Sequence, residues 1–324
     1  NIMRAYYFLY YLGVCHLMSI LTGKKIIVTG VANKKSIAWG CAKAISDQGA
    51  EIIYTYQNER MKKNLVKLVG EEASMFELDV ASDEKIKFAF DSIKEKFGSI
   101  DGIVHSIAFA NKEELSGNVT EITRDGFQLA QDISAYSLLA VSKYAAPLMT
   151  NGGSIVTMTY MGSERSIPNY NMMGIAKAAL EAEVRYLATE LAPKNIRVNA
   201  ISAGAIKTLA VTGVKNYQSL LSLSEERTPD KVSVTIEEVG NSCAFLLSPL
   251  ATGIIGDIIY VDKGAVSYTH LDVYKRQFLL SPLATGIIGD IIYVCLLYTS
   301  RCVNELEFKL INTNKIAVFG TSRT

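Results

Sequence analysis

Short apolar runs rich in β-branched residues alternate with longer segments of helical periodicity between residues 18 and 264. Such runs predict seven strands, at residues 24–30, 51–56, 74–80, 101–108, 153–159, 196–202 and 257–262. Helical patterns separate nearly all of them; one begins at Ser36 and ends before Gly49, and a charged one covers residues 59–69. This alternation indicates an α/β fold in a single domain, with a doubly wound, mostly parallel seven-stranded sheet of the Rossmann type.

Polar and small residues stand at the predicted carboxyl ends of the strands, where doubly wound sheets bind their ligands. These residues are Gly30, Gln57, Asp79, Ser106, Tyr160 and Ser202. The first strand–helix turn, "GVANKKSIAWG" at residues 30–40, lacks the G-x-G-x-x-G spacing of a dinucleotide fingerprint. Gly30 can still turn the backbone, and a helix capped by Ser36 would point free N–H groups at a pyrophosphate. A plain strand–helix turn is the alternative interpretation of this loop.

The end of the second predicted strand bears on the choice of cofactor. An acidic residue at this point often binds the adenosine ribose, whereas an arginine accommodates a 2′-phosphate. The neutral Gln57 therefore favours NADH over NADPH, although Arg60 nearby argues the other way. Asp79 is expected to accept a hydrogen bond near the adenine.

Composition narrows the class of protein. Hydrophobic residues make up 49% of the 324 residues and charged residues 20%, which suits a globular protein with a sizeable core. The net charge of +1 predicts neither a nucleic-acid surface nor an acidic tail, and we expect no membrane partner. The five cysteines form no CxxC pair, so we expect no metal site, no disulfide framework and a cytoplasmic location.

The segments before and after the alternating pattern, residues 1–17 and 265–324, are not expected to belong to the domain. The apolar run "AYYFLYYLGV" at residues 5–14 could be part of a signal peptide, but translated upstream sequence over residues 1–17 is favoured, because "MSILTGKKIIVTG" at 18–30 resembles a natural start. The segment "FLLSPLATGIIGDIIYV" occurs at 245–261 and again, identically, at 278–294. The flanking strings "VSYTHLDVYKRQ" and "CLLYTS" can be read from one oligonucleotide that resembles the end of a sequencing-library transposon. Residues 265–324 are therefore expected to be a chimeric tail.

The candidate chemistry lies in "YMGSERSIPNYNMMGIAK" at residues 160–177. Tyr170 and Lys177 are seven residues apart, nearly two helical turns, so we expect them on one helix face. A phenol and an ammonium group so placed can act as a proton donor and the cation that tunes it, or can be a surface accident. His105, the one histidine of residues 18–264, is expected to be a hydrogen-bonded structural residue rather than a catalytic base. Cys41 and Cys243 are expected in the core.

The order of several motifs resembles the enoyl-acyl-carrier-protein reductases, a branch of the short-chain dehydrogenase/reductase superfamily. The resemblance covers roughly residues 19–264 and is carried by "TGVANKKSIAWG", "TYQNER", "LDV", "HSIAFA", "QDISAYS", "PNYNMMGIAKAALEA" and "IRVNAISAGAIKTLA". Tyr160, Tyr170 and Lys177 resemble that family's tyrosine–tyrosine–lysine signature, with nine residues between the tyrosines and six before the lysine. Ordinary members of the superfamily place Tyr and Lys only four residues apart.

The resemblance implies an NADH-dependent enzyme that reduces enoyl thioesters carried on acyl carrier protein, assembled as a homotetramer and without a metal. It implies that Tyr170 donates a hydrogen bond to the thioester carbonyl, that Lys177 binds the nicotinamide ribose, and that Tyr160 helps to place the substrate. The implied cofactor-binding positions are Gly30, Ser36, Ile37, Gln57, Asp79, Val80, Ser106, Lys177 and Thr208. The implied substrate-binding positions are Ala110, Tyr160 and Tyr170.

Two other functions remain open from the residues alone. A short-chain carbonyl or alcohol dehydrogenase using NAD(P) would need Thr157 or Thr159 in place of the usual serine on the fifth strand. A catalytically silent nucleotide-binding protein would be favoured if Tyr170 or Lys177 were missing, and both are present.

Overall fold

A seven-stranded parallel sheet runs through the part of the chain that the computed structural model describes, residues 19–212 and 216–265. Its strands are β1 (Lys25–Val28), β2 (Glu51–Tyr56), β3 (Met75–Glu77), β4 (Gly102–His105), β5 (Gly153–Thr159), β6 (Ile196–Ala203) and β7 (Ile258–Val261). Their order across the sheet is β3-β2-β1-β4-β5-β6-β7, and all six pairings are parallel. The predicted α/β class and seven strands are confirmed. The structure differs at the ends of β1, β3 and β4, which are shorter because the chain leaves the sheet earlier to form the loops above it.

Helices cover both faces of this sheet. They are α1 (Ile37–Asp47), α2 (Glu59–Val69), α3 (Asp83–Phe97), α4 (Arg124–Gln131), α5 (Ser137–Ala145), α6 (Asn171–Leu191), α7 (Leu209–Thr212), α8 (Tyr217–Arg227) and α9 (Ile236–Leu247). A five-residue π-helical segment, Asp132–Tyr136, joins α4 to α5. Among the helices of the described ranges, none combines the length and apolar character needed to cross a membrane.

Two apolar cores form because successive side chains of a buried strand point to opposite faces of the sheet. Ile26 and Val28 of β1 belong to the core beneath α1 and α9, while Ile27 belongs to the core beneath α3, α5 and α6. Cys41 and Cys243, predicted to be core residues, are fully buried in the first of these cores. Burial raises the pKa of the Cys243 thiol, which keeps it in the unreactive protonated form.

The helices α1 and α9 cross with their backbones in contact. A Cβ atom built on Gly40 would lie 2.2 Å from the carbonyl oxygen of Ile236, and one on Gly240 would lie 2.3 Å from the carbonyl oxygen of Gly40. Neither position can accept a side chain without separating the helices. This crossing matters for function because it fixes α1, whose first turn stands at the carboxyl edge of the sheet.

The first copy of the duplicated segment belongs to the sheet. Residues 245–261 supply the end of α9 and the whole of β7, which pairs in parallel with β6. The second copy at 278–294, the rest of the predicted chimeric tail from residue 266, and the predicted upstream extension at 1–17 lie outside the described residues.

We predict that Gly240→Ala lowers the free energy of unfolding by about 1–3 kcal/mol, because overpacking forces the two helices apart. In an isolated helix the same change would stabilise by up to about 1 kcal/mol, so a loss reports the close contact rather than helix propensity. Chemical denaturation would measure it, with Lys43→Ala on the exposed face of α1 as the control. Unchanged or increased stability of Gly240→Ala would show that the helices do not pack this closely.

Candidate active site

The sheet reverses its strand order between β1 and β4, the point where doubly wound sheets bind ligands. The buried Thr29 joins the two strand ends: its Oγ1 donates to the carbonyl oxygen of Val104 and accepts from the N–H of Ser106, both at 3.0 Å. Gly30 has φ +78° and would place a Cβ only 2.0 Å from the carbonyl oxygen of Ser106. Glycine is therefore required here for two reasons, the left-handed backbone and the close approach of β4.

The start of α1 opens on a basic cleft. Ser36 caps the helix as predicted, since its Oγ accepts from the N–H of Trp39 at 3.3 Å and donates to the carbonyl oxygen of Asn33 at 2.8 Å. Ile37 is the first residue of the helix. The cleft has a volume of about 420 Å³ and is lined by Asn33, Lys34, Lys35, Leu68, Lys207, Thr208 and Thr212. Free helix N–H groups, ammonium groups and hydroxyls are the donors that a pyrophosphate needs, so these residues fit a dinucleotide.

Thr208, on the loop after β6, also lines this cleft. Its Oγ1 accepts from the N–H of Val211 at 3.3 Å and so caps the short helix α7. The structure thus brings Thr208 into one cleft with Lys35, the residue that precedes Ser36.

Gln57 and Asp79 also come together, at the ends of β2 and β3. Gln57 Nε2 donates to Asp79 Oδ1 at 3.3 Å, and Lys85 lies 3.5 Å from Asp79 Oδ2. Val80, next to this pair, is buried. An amide and a carboxylate at this edge can bind ribose hydroxyls and an adenine amine, which is the role expected for them.

Tyr160 and Tyr170 pack edge to face above the end of β5. Their ring centroids are 5.1 Å apart and their planes make an angle of 72°. Tyr160 directly follows β5, whereas Tyr170 is the residue before α6 and has non-helical angles, φ −122° and ψ 13°. The prediction that Tyr170 shares a helix face with Lys177 is therefore wrong. Asn169, with φ +62°, turns the chain just before Tyr170, and the helix begins only after that turn.

The ring of Tyr170 fits because residue 162 has no side chain. A Cβ on Gly162 would lie 2.6 Å from Cδ1 of Tyr170, and a Cβ on Gly174 would lie 2.7 Å from the carbonyl oxygen of Gly162. The turn after β5 and the first turn of α6 thus close around the tyrosine. The sequence analysis did not single out either glycine.

Lys177 lies inside α6 with its side chain buried against the end of β5. Its Nζ donates to the carbonyl oxygen of Met158 at 2.7 Å. Burial lowers the pKa of Lys177 to about 8, and the charge of Glu181 opposes that shift. Burial raises the pKa of both Tyr160 and Tyr170, so each phenol is a hydrogen-bond donor at neutral pH.

His105 is held by hydroxyl groups on both ring nitrogens. Thr157 Oγ1 lies 2.9 Å from Nδ1 and Ser137 Oγ lies 2.9 Å from Nε2. Burial, with a smaller contribution from the charge of Lys177, lowers the pKa of His105 to about 3, so the ring is neutral at physiological pH. This geometry supports the structural interpretation of His105 and leaves it without the access that a catalytic base requires.

Ala110, predicted from the resemblance to bind substrate, lies near the start of α6. It packs, half-buried, against the small cluster of Ala130, Met172 and Ala176. The loop before it is fixed by Ser134 of the π-helical segment, whose Oγ accepts from the N–H of Phe109 and donates to its carbonyl oxygen, both at 2.8 Å. Over the described ranges, no three His, Cys, Asp or Glu side chains are grouped to hold a metal ion.

A nucleotide-type cleft at the switch point, with a tyrosine pair and a buried lysine beside it, defines the class of dinucleotide-dependent reductases. A family model for enoyl-(acyl carrier protein) reductase matches residues 30–266. The chain belongs to this enoyl-(acyl carrier protein) reductase family, within the short-chain dehydrogenase/reductase superfamily. The family resemblance stated from the motifs is therefore confirmed.

Relatives within the family differ in the cofactor that their names give. The enoyl-acyl-carrier-protein reductase (NADH) FabI of Enterococcus faecalis is 71% identical over 244 residues, which cover 75% of this chain and 98% of that protein. The NADH-named FabI of Escherichia coli is 46% identical, over 76% of this chain and 95% of that protein. A FabI of Staphylococcus aureus named for NADPH is 50% identical, over 75% of this chain and 97% of that protein.

Solved structures of the family share the fold. The Bacillus cereus enoyl-acyl carrier protein reductase, solved with NADP⁺ and indole naphthyridinone, matches with a TM-score of 0.74 and 48% identity, over 76% of this chain and 97% of that one. The enzyme of Anaplasma phagocytophilum, solved in complex with NAD, matches with a TM-score of 0.73 and 42% identity. The match covers 76% of this chain and 95% of that one.

We predict that Gly162→Ala lowers kcat/KM by about 10-fold or more, because an added methyl group displaces the Tyr170 ring and misplacing a reacting group is costly. Thermal unfolding should change little, since the contact lies at the edge of the core. Ser166→Ala, an exposed change in the same loop, is the matched control. Wild-type kcat/KM in Gly162→Ala would mean that the position of Tyr170 is not set by this contact.

Proposed function

We propose that this protein uses NADH to reduce the trans-2 double bond of enoyl thioesters carried on acyl carrier protein, a reductive step of fatty-acid elongation. The observation that carries the proposal is the Tyr160–Tyr170 ring pair beside the buried Lys177, at the carboxyl edge of a doubly wound sheet. Family membership supports the same activity, since the relatives are named as enoyl-acyl-carrier-protein reductases.

The residues that would hold the cofactor surround the switch point. Ser36, Ile37 and Thr208 would bind the pyrophosphate, Gly30 and Ser106 would let the backbone approach it, and Lys177 would bind the nicotinamide ribose. Gln57, Asp79 and Val80 would hold the adenosine end. Bound there, NADH supplies the hydride for the reaction.

The chain's own contribution is to stabilise negative charge on the substrate. When the β-carbon of the enoyl group is reduced, charge develops on the thioester oxygen, and a donor already aimed at that oxygen contributes most to the rate. Tyr170 is that donor in the proposed mechanism, because its raised pKa keeps the phenol protonated. Lys177 adds positive charge nearby, while Tyr160 and Ala110 shape the pocket and place the substrate.

Gln57 supports NADH as the preferred cofactor. Its amide contacts Asp79 at 3.3 Å, so the end of β2 offers a neutral hydrogen-bond donor held by a carboxylate. Neither side chain can form the charge-assisted pair with a 2′-phosphate that an arginine would form. NADPH is the less favoured cofactor in this proposal.

The carbonyl or alcohol dehydrogenase alternative is less well supported. It needs a hydroxyl on β5 that is available to a substrate. Thr157 is hydrogen-bonded to His105, and Thr159 Oγ1 donates to the carboxylate of Glu181 at 2.6 Å. Both threonine hydroxyls thus bond to buried side chains of the protein, which does not favour a role for them in binding a substrate carbonyl.

A homotetramer in the cytoplasm completes the proposal. The helical layer formed by α4, the π-helical segment and α6 exposes large apolar side chains, namely Phe127, Tyr136, Ile175 and Tyr186. Exposed apolar groups of this size are typical of surfaces covered by a partner, and a second copy of the chain would cover them.

We propose that residues 18–264 form the reductase domain and that residues 1–17 and 265–324 take no part in catalysis. Every residue named for cofactor or substrate lies between positions 30 and 208. The edge position of the sheet next to β6 is already taken by the first copy of the duplicated segment, through β7.

We predict that Tyr170→Phe and Lys177→Ala each lower kcat by about 100- to 1,000-fold, the usual cost of removing one donor from an oxyanion site. Tyr160→Phe should cost less, because its role is placement rather than charge. Oxidation of NADH with a trans-2-enoyl thioester measures the effect. The matched controls are Tyr144→Phe, a half-buried tyrosine of α5 that stacks on Phe90, and Lys143→Ala, also on α5. Turnover within a few-fold of wild type in both main variants would refute the proposed mechanism.

We predict that Gln57→Arg shifts the ratio of kcat/KM for NADPH over NADH upward by about 10-fold or more, because a charge-assisted pair forms with the 2′-phosphate. Steady-state kinetics with each cofactor would measure the ratio. Arg60→Gln, which removes the nearby basic residue of α2, should leave NADH preferred. A wild-type protein that already prefers NADPH would contradict this account of Gln57.

A further inference from the structure

A buried carboxylate lies one helical turn beyond the catalytic lysine. Glu181 is only 5% exposed and Thr159, its hydrogen-bond partner, 4%. Thr159 Oγ1 donates to Glu181 Oε1 at 2.6 Å, a short bond typical of a hydroxyl and an ionised carboxylate. Burying a carboxylate costs free energy, so a carboxylate buried beside the site is expected to have a role there.

The helix face that carries Lys177 and Glu181 is attached to β5 at two successive residues. Lys177 Nζ donates to the carbonyl oxygen of Met158, and Glu181 accepts from the side chain of Thr159, the next residue. Residues four apart on a helix are neighbours on its surface. The carboxylate and the ammonium group are therefore neighbours on one helix face and are held by adjacent residues of the same strand end.

The charges around this pair are few. Burial lowers the pKa of Lys177 to about 8, and Glu181 is the group that opposes the shift. Burial raises the pKa of Glu181, and the charge of Glu164, from the turn after β5, raises it further. The hydroxyl groups of Ser163 and Thr159 and the charge of Arg185 lower it. His105 faces Lys177 from β4 and is neutral, because its pKa is about 3. With a pKa so close to physiological pH, the charge of Lys177 depends on its surroundings.

We infer that Glu181 is a positioning residue of the reductase: its carboxylate, oriented by Thr159, provides the negative charge that keeps the side chain of Lys177 positively charged during turnover. The inference rests on the proposed function, in which a charged Lys177 binds the ribose and stabilises the substrate oxygen. A purely structural Glu181 would stabilise the fold without affecting the protonation of Lys177.

The test is the pH dependence of the full-length Glu181→Gln variant, which keeps the shape and the acceptor oxygen but loses the charge. Activity that needs protonated Lys177 falls as the pH rises through the pKa of Lys177. Without the carboxylate that pKa drops, so the falling limb of kcat/KM moves to lower pH. We expect the ratio of kcat/KM at about pH 8.5 to that at about pH 6.5 to fall roughly 3- to 10-fold, the size of one charge lost from a partly buried neighbour.

Thr159→Val and Thr159→Ser separate charge from packing. The valine removes the hydrogen bond to Glu181 and raises the carboxyl pKa further. The high-pH fall of kcat/KM should therefore move to lower pH, by a smaller amount than in Glu181→Gln. The serine restores the hydroxyl and should restore the wild-type profile. Circular dichroism and thermal unfolding verify that each variant is folded.

Glu183→Gln is the matched control. Glu183 lies on the same helix and burial raises its pKa to about 7. It is two residues beyond Glu181, about 200° further around the helix, and so lies on a different face from Lys177 and Glu181. Its removal should leave the high-pH limb unchanged. A folded Glu181→Gln variant with a wild-type profile, or an equal shift in Glu183→Gln, would overturn the inference.

A binding measurement tests the role of Glu181 independently of the proposed function. NADH affinity, followed by fluorescence across the same pH range, depends on the charge of Lys177 without any turnover. If the wild type fails to reduce enoyl thioesters, the proposed function fails. The inference then stands if Glu181→Gln weakens NADH binding at high pH more than at low pH, and fails if it does not.

Discussion

The ammonium group of Lys177 is buried at the carboxyl end of a central strand, and the groups around it determine whether it stays charged there. The group gains one hydrogen bond, to the carbonyl oxygen of Met158, and a carboxylate one turn away. A lone buried cation would lose its proton, so the lysine can work at neutral pH only because these groups compensate for lost water. His105, which is also fully buried nearby, has two hydroxyl partners rather than a carboxylate and is neutral. The two side chains lie close together yet carry different charges, because their surroundings differ.

Close backbone approach is the second constraint on the site. Gly30 brings the end of β1 against Ser106 after β4, and Gly162 brings the turn after β5 against the Tyr170 ring. Further from the chemistry, Gly40 and Gly240 let α1 and α9 touch, which fixes the helix whose first turn faces the cleft. The chemical groups of the site are thus placed by residues that carry no chemistry themselves.

The sequence allowed much of this to be predicted, for definite reasons. The seven strands were found because buried parallel strands are short β-branched runs, and the cap at Ser36 was found because a serine preceded a helical pattern. Residues at strand ends, such as Gln57 and Asp79, could be named because strand ends share one edge of a parallel sheet. The tyrosine pair and the lysine were singled out by their resemblance to a family signature.

What could not be predicted depends on three-dimensional contacts. The spacing of Tyr170 and Lys177 suggested a shared helix face, but the turn at Asn169 delays the helix by one residue, and such boundaries are poorly encoded locally. Glu181 resembles any other acidic residue of an amphipathic helix until its contact with Thr159 is seen. Gly162 and Gly174 could be found only from the ring that passes over them.

The central claim is that the site reduces a carbon–carbon double bond conjugated to a thioester rather than a carbonyl group. The most direct measurement is NADH oxidation by the full chain with a crotonyl thioester, compared with a panel of ketones and aldehydes, with the products identified. The account predicts rapid oxidation with the thioester, a butyryl thioester as product, and negligible rates with the carbonyl compounds. Faster oxidation with a ketone or aldehyde, giving an alcohol, would contradict it.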